Sequence, residues 1–167
     1  MELNFEELKF KLYKSKSNRN FICIKPFIKL YTPLMRIPFD IERKYNNYYT
    51  NIEFYNFESN SKMNEFYNKI TRLELFLLSQ INKYFKRDLR LKSQIKQNSS
   101  FNPFITIKTS IKNIKNIKIE NPSLNILTLL DLNKNTKCNF IIYIDKLWIN
   151  EKQNVLVLWW KFDKIIL

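Results

Sequence analysis

The chain contains no glycine, no alanine and no histidine. Without histidine there is no Ser-His-Asp triad and no Cys-His nucleophile pair. Without glycine there is neither a glycine-rich phosphate loop nor a dinucleotide fingerprint. The two cysteines, Cys23 and Cys138, lack metal-ligand spacing. A zinc centre is thereby excluded, the zinc deaminases included, and two buried, reduced thiols are expected rather than a disulfide framework. No stretch offers about 18 uncharged apolar residues, and the acidic start (Glu2, Glu6, Glu7) is unlike a secretion or transit signal. The expectation is a soluble, cytoplasmic chain with no membrane partner, no metal and no cofactor.

One acidic motif could suggest a metal-dependent nuclease: Asp40-Ile-Glu42-Arg-Lys44. Such a site wants carboxylates converging from separate elements, and no aspartate precedes Asp40. The segment reads as a solvated charged turn, and the chain as a non-enzyme.

What is present is positive charge and aromatic surface. The 29 Lys and Arg residues outnumber 15 Asp and Glu, for a formal net charge of +14, which suits a polyanionic partner. Part of that excess reflects codon usage, because Lys, Asn, Ile, Phe and Tyr are all encoded by A- and T-rich codons.

At 167 residues the chain is long enough for one domain with a real core, and no second boundary is evident over 1–167. The segment 1–19 reads as a first strand (Leu8, Phe10, Leu12) with a basic loop, or as a flexible basic terminus, the latter preferred. Residues 21–32 and 51–57 read as strands. Phe66, Ile70, Leu73, Leu77, Ile81 and Tyr84 recur at spacings of three and four, predicting an amphipathic helix over about 64–85 with Ser61 or Asn64 as N-cap. The Ile-Lys-Asn segment 111–119 reads as a weak strand or basic flap, and 121–135 as a strand or short helix. Asparagines there replace glycine in left-handed turns. The C-terminal runs 138–149 and 155–162 flank a polar break and alternate, as in a β-hairpin. Of the adjacent Trp159 and Trp160, one must face outward if both sit in a regular strand. Together these predict an α+β fold, mostly β, with one long helix.

Sequence-tolerant binding of single-stranded nucleic acid needs flat side chains for bases to stack on and cations along the backbone. Candidate platforms are Tyr31, Phe39, Tyr45, Tyr48, Tyr49, Tyr55, Trp148, Trp159 and Trp160. Candidate phosphate contacts are Lys29, Arg36, Arg43, Lys44, Lys108, Lys112, Lys115 and Lys161.

The order of several motifs resembles the OB-fold single-stranded DNA-binding proteins of large cytoplasmic DNA viruses and of the cytoplasmic linear (killer) plasmids of yeasts. These motifs are Leu30-Tyr-Thr-Pro-Leu-Met-Arg-Ile-Pro-Phe39, the helix Phe66…Ile70…Leu73-Glu74…Ile81, Asn102-Pro-Phe-Ile-Thr-Ile-Lys108, and the hairpin with Leu147-Trp148-Ile149 and Leu158-Trp-Trp160-Lys161. The likeness covers about two-thirds of the chain by order and spacing. Where that family tends to have glycine, after Pro-Phe and before the last Leu-x-Trp, this chain has Asp40 and Val157. The resemblance implies an OB-like barrel of about five or more antiparallel strands that cradles single-stranded DNA exposed during replication. It also implies polymerase or helicase partners of the same replicon, with self-association open. RNA, a duplex end, or a structural viral role are the alternatives that the residues leave standing.

Overall fold

The computed structural model describes residues 5–167; Met1–Asn4, with Glu2 of the acidic start, lie outside the described residues. Its elements are β1 (Lys9–Lys14), β2 (Asn20–Lys25), β3 (Lys29–Tyr31), β4 (Met35–Arg36), β5 (Glu42–Lys44), β6 (Asn47–Glu53), α1 (Ser61–Phe85), β7 (Arg90–Leu91), β8 (Ile95–Asn98), β9 (Phe101–Ser110), β10 (Lys118–Glu120), β11 (Lys137–Asn150) and β12 (Val155–Ile166). The protein is mostly β with one long helix, as expected.

The β11–β12 hairpin is the spine. One edge of β11 carries β12 along its length; the other carries β4, β3 and β2 in turn. Each strand of the hairpin carries one extra residue. Ile144 pairs with Trp160 but Lys146 pairs with Trp159, so Asp145 is bulged; Ile141 pairs with Lys164 but Ile142 with Phe162, so Asp163 is bulged. Because side chains alternate along a strand, each extra residue inverts the alternation beyond it. Phe140, Ile142 and Ile144 point inward before the first bulge; Leu147 and Ile149 do so after it. On β12 the inward set is Leu156, Leu158, Trp160 and Phe162, then Ile165.

Helix α1 buries Phe66, Ile70, Leu73, Leu77 and Ile81 of the stripe read from the sequence, with Met63 in addition; Tyr84, the last of that stripe, is exposed in the final turn. Each of the buried side chains taken from water is worth roughly 1.5–3 kcal/mol. The N-cap is Asn60 rather than Ser61 or Asn64: its side chain accepts from the Met63 N–H at 3.2 Å, satisfying one free donor of the first turn. Glu74 is buried on the same face, and burial pushes its carboxyl up despite hydrogen bonds from Ser93 and the Gln94 backbone. These contacts tie α1 to the segment that leads into β8.

Without glycine, the left-handed positions fall mainly to asparagine. Asn18, Asn56, Asn121, Asn135 and Asn154 all have positive φ, and so do Tyr45 and Lys86. The helix ends at Lys86, whose φ of 52° and ψ of 52° place a β-carbon where glycine is preferred.

Several boundaries differ from the sequence reading. Residues 9–14 form a full ladder with β2 rather than a loose terminus, and Lys9, Lys11 and Lys14 lie along this edge strand, a charge pattern that discourages further pairing. The strand expected over 51–57 is β6, ending at Glu53, because Asn56 turns left-handed toward the helix. Segment 111–119 is a short 3-10 turn followed by β10, which runs parallel to the end of β12. Within 121–135 the regular structure is a single 3-10 turn, Leu129–Asp131, closed by a capping box from Thr128.

The ladder order runs β1-β2-β11-β4-β6-β9-β8. Strands β9 and β12 approach within 8 Å between Cα atoms, yet no ladder joins them among the described residues, so the sheet is open there.

Candidate nucleic-acid interface

The outward face of the hairpin and its neighbours gathers aromatic rings and cations. The bulge at Asp145 turns Lys146 and Trp148 to the face that Trp159 and Lys161 occupy from β12. Trp160 answers the question raised by the adjacent pair: it is 2% exposed and part of the core, so it offers no ring face for stacking. Trp159 is the outward member.

Trp159 is the hub. Its ring lies 5.1 Å from that of Phe21 and 6.3 Å from that of Trp148, and Tyr13 continues the row 5.8 Å from Phe21. Lys108 Nζ and Lys146 Nζ each sit 4.9 Å from the Trp159 ring, and Lys146 Nζ is also 4.3 Å from Phe21. The Arg19 guanidinium lies 5.8 Å from Trp148. Lys108 comes from β9, whose Ile105, Ile107 and Thr109 are buried while Thr106, Lys108 and Ser110 alternate outward.

Neither Lys108 nor Lys146 forms an ion pair with a carboxylate among the described residues. Partial burial holds the Lys108 ammonium below the ordinary lysine range, and the charges of Arg19, Lys146 and Lys161 lower it further. Lys146 is lowered by burial and by Lys161, against a partial offset from Asp145. Cations pressed together without counterions make an anion-seeking surface. Lys161 differs, bonding Asp145 at 3.2 Å.

Comparison with protein-family models, with curated proteins and with solved structures yields no match. The reading of this face therefore rests on its own chemistry.

The remaining sequence candidates are dispersed. Tyr49, across β6 from Lys108, lines the same cleft as Trp159. Tyr48 is half-buried against the core. Tyr45 is 94% exposed at the β5–β6 turn, and Arg43 is exposed beside it. Lys44 bonds Glu42 at 3.0 Å, which raises its pKa and occupies the Glu42 carboxylate of the acidic motif; Asp40 is exposed nearby. Lys112 and Lys115 are exposed around the 3-10 turn after β9. Tyr31 is exposed on β3, at the far end of β11. Lys29 bonds Asp163 at 3.0 Å.

Arg36 is engaged elsewhere. Its Nε and Nη2 both donate to the Glu53 carboxylate, which also accepts from Asn102. The Tyr55 ring packs between Arg36 at 4.8 Å and Lys137 at 4.3 Å. Phe39 meets Phe101 and Phe104 edge-on, each at 5.7 Å. These two groups serve packing on the β4–β6–β9 side.

The cysteines are both free. Cys138 is buried, and burial alone pushes its thiol up to about 12, which leaves it unreactive near neutral pH. Cys23 is only half-buried.

Sequence reasoning missed Lys146, Arg19 and Lys96, the last lining the Trp159 cleft from β8; Phe21, at 3% exposure, backs the Trp159 ring from the core. Strict alternation from Phe140, Ile142 and Ile144 sends Lys146 into the core, and only the bulge brings it out. The signal available was the polar pair Asp145-Lys146 interrupting an apolar run.

Proposed function

We propose that this chain is a non-enzymatic, sequence-independent single-stranded DNA-binding protein. The observation that carries the reading is the hub at Trp159, where three aromatic side chains meet two ammonium groups that form no ion pair among the described residues. Bases stack on the aromatic surface, at about 1–3 kcal/mol per base, and the lysines exchange ring contacts for phosphate contacts.

An OB-like barrel belongs to the same proposal. The close approach of β9 and β12 stands in the place of a closing ladder, and the inward residues of both strands share one core with α1. The role inferred is protection of strands exposed during replication of a viral or linear-plasmid genome in the cytoplasm, alongside a polymerase or helicase of the same replicon. Among the described residues no helix is long and apolar enough to cross a membrane.

Fluorescence anisotropy of a labelled oligothymidylate, titrated across salt concentrations, tests the reading. Binding should weaken linearly on a log–log plot, with a slope of about −0.7 per phosphate contacted. Absence of binding at low salt would assign the basic charge to codon usage and the chain to a structural role.

A further inference from the structure

The cleft between β9 and β12 passes along its length from unpaired lysines to ion-paired side chains. Its first part, about 430 Å³, is lined by Lys96, Lys108, Lys146 and Lys161 beside Tyr49 and Trp159, and among the described residues no carboxylate lines it. This volume falls in the range of small-ligand sites, roughly 300–1,000 Å³. The adjoining part, about 270 Å³, shares Ser110, Asn113 and Lys161 and adds Asp145 and Asp163. The bulged residue of each hairpin strand is therefore an aspartate, and both stand beyond the lysines.

Resting on the nucleic-acid reading above, we infer that this cleft is a strand-end pocket: a terminal phosphomonoester is held among Lys96, Lys108 and Lys146, with its base against Trp159. One physical argument carries this. The lysines come from β8, β9 and β11 and converge on one cavity rather than following a track. Beyond them Asp145 and Asp163 are held by Lys161 at 3.2 Å and Lys29 at 3.0 Å, so the uncompensated positive charge is confined to this part of the cleft. Such a focus suits a group carrying about −1.5 to −2 charges, as a phosphomonoester does at neutral pH, more than the single charge of a diester.

The test compares oligothymidylates of one length in four forms: 5′-phosphorylated, 3′-phosphorylated, unphosphorylated and circular. Charge-assisted hydrogen bonds to a dianion should make one of the two phosphorylated ends bind about tenfold or more tighter than the unphosphorylated or circular form. Lys108→Gln with Lys146→Gln should abolish that preference while the protein melts normally. Thymidine monophosphate should compete only with the phosphorylated form. If all four forms bind alike, the pocket is overturned and the single-strand reading stands. If none binds at low salt, both fall.

Discussion

Replacing Trp159 by alanine separates a stacking surface from a packing residue. The side chain is half-buried and touches Phe21 and Trp148 at ring distances of 5.1 and 6.3 Å, with two lysines 4.9 Å away. Aromatic pairs contribute about 0.5–1.5 kcal/mol beyond area, and exposed cation–ring contacts about 0.5–1. The stability loss should therefore be about 2–5 kcal/mol, against a typical total of about 5–15, and binding is read at a temperature where melting shows the variant folded. Losing one stacked base costs about 1–3 kcal/mol, which weakens oligonucleotide binding by about 5- to 150-fold. Lys108 and Lys146 keep their charges, so the salt slope should not move. Trp160→Ala is the counterpart: it opens the core and should cost about 3–5 kcal/mol of stability, with no change in affinity per folded molecule. The assay is anisotropy at several salt concentrations beside thermal melting. If Trp159→Ala binds as tightly as the native chain, or changes the slope instead of the affinity, Trp159 is not a base platform.

Arg36→Met should destabilise the protein by about 3–5 kcal/mol, because it strands the buried Glu53 carboxylate, and should leave the salt slope of binding unchanged; chemical denaturation and the same titration check both. The lowered Lys108 and Lys146 ammonium groups lose charge at a lower pH than the ordinary value of 10.5. A base with a depressed folded-state pKa disfavours folding while protonated, so ligand-free stability from these two groups should rise as pH climbs from the depressed values toward 10.5. Over the same interval oligonucleotide affinity should fall, which melting curves and titrations across alkaline pH will show. Lys86→Gly removes the strain of a left-handed non-glycine residue and should add about 1 kcal/mol, read as a rise in melting temperature of about 2–4 °C.

The long helix and the hairpin were legible because their apolar residues recur over many turns and pairs. The short strands β4, β5 and β7 were not, since two or three residues carry no period and owe their pairing to neighbours distant in sequence, whereas β2 and β3 both fall in the strand read over 21–32. Trp148 reads from the sequence as one of several aromatics interleaved with cations, and it lies on the outward face. Its neighbour Lys146 was passed over because a single bulge inverts the alternation between Ile144 and Leu147. Arg36 reads as a free cation until Glu53 is brought opposite it across β4 and β6, a contact seventeen residues apart. Local periodicity reports which face a residue takes; it is silent on which charges the fold has already neutralised.

The bulge at Asp145 also bears on how the chain tolerates insertions and deletions. Removing one residue from the middle of a fourteen-residue strand ordinarily turns half its side chains inside out. Here deletion of Asp145 leaves Ile144 opposite Trp160 and Lys146 opposite Trp159 as consecutive pairs, with both inward sets in place. The cost falls on the local twist and on the Lys161 ion pair, so the shortened strand would keep its core and carry one more unmatched positive charge at the boundary of the cleft. Drift in length at this position is thus a route by which the hairpin can change its surface charge without changing its register.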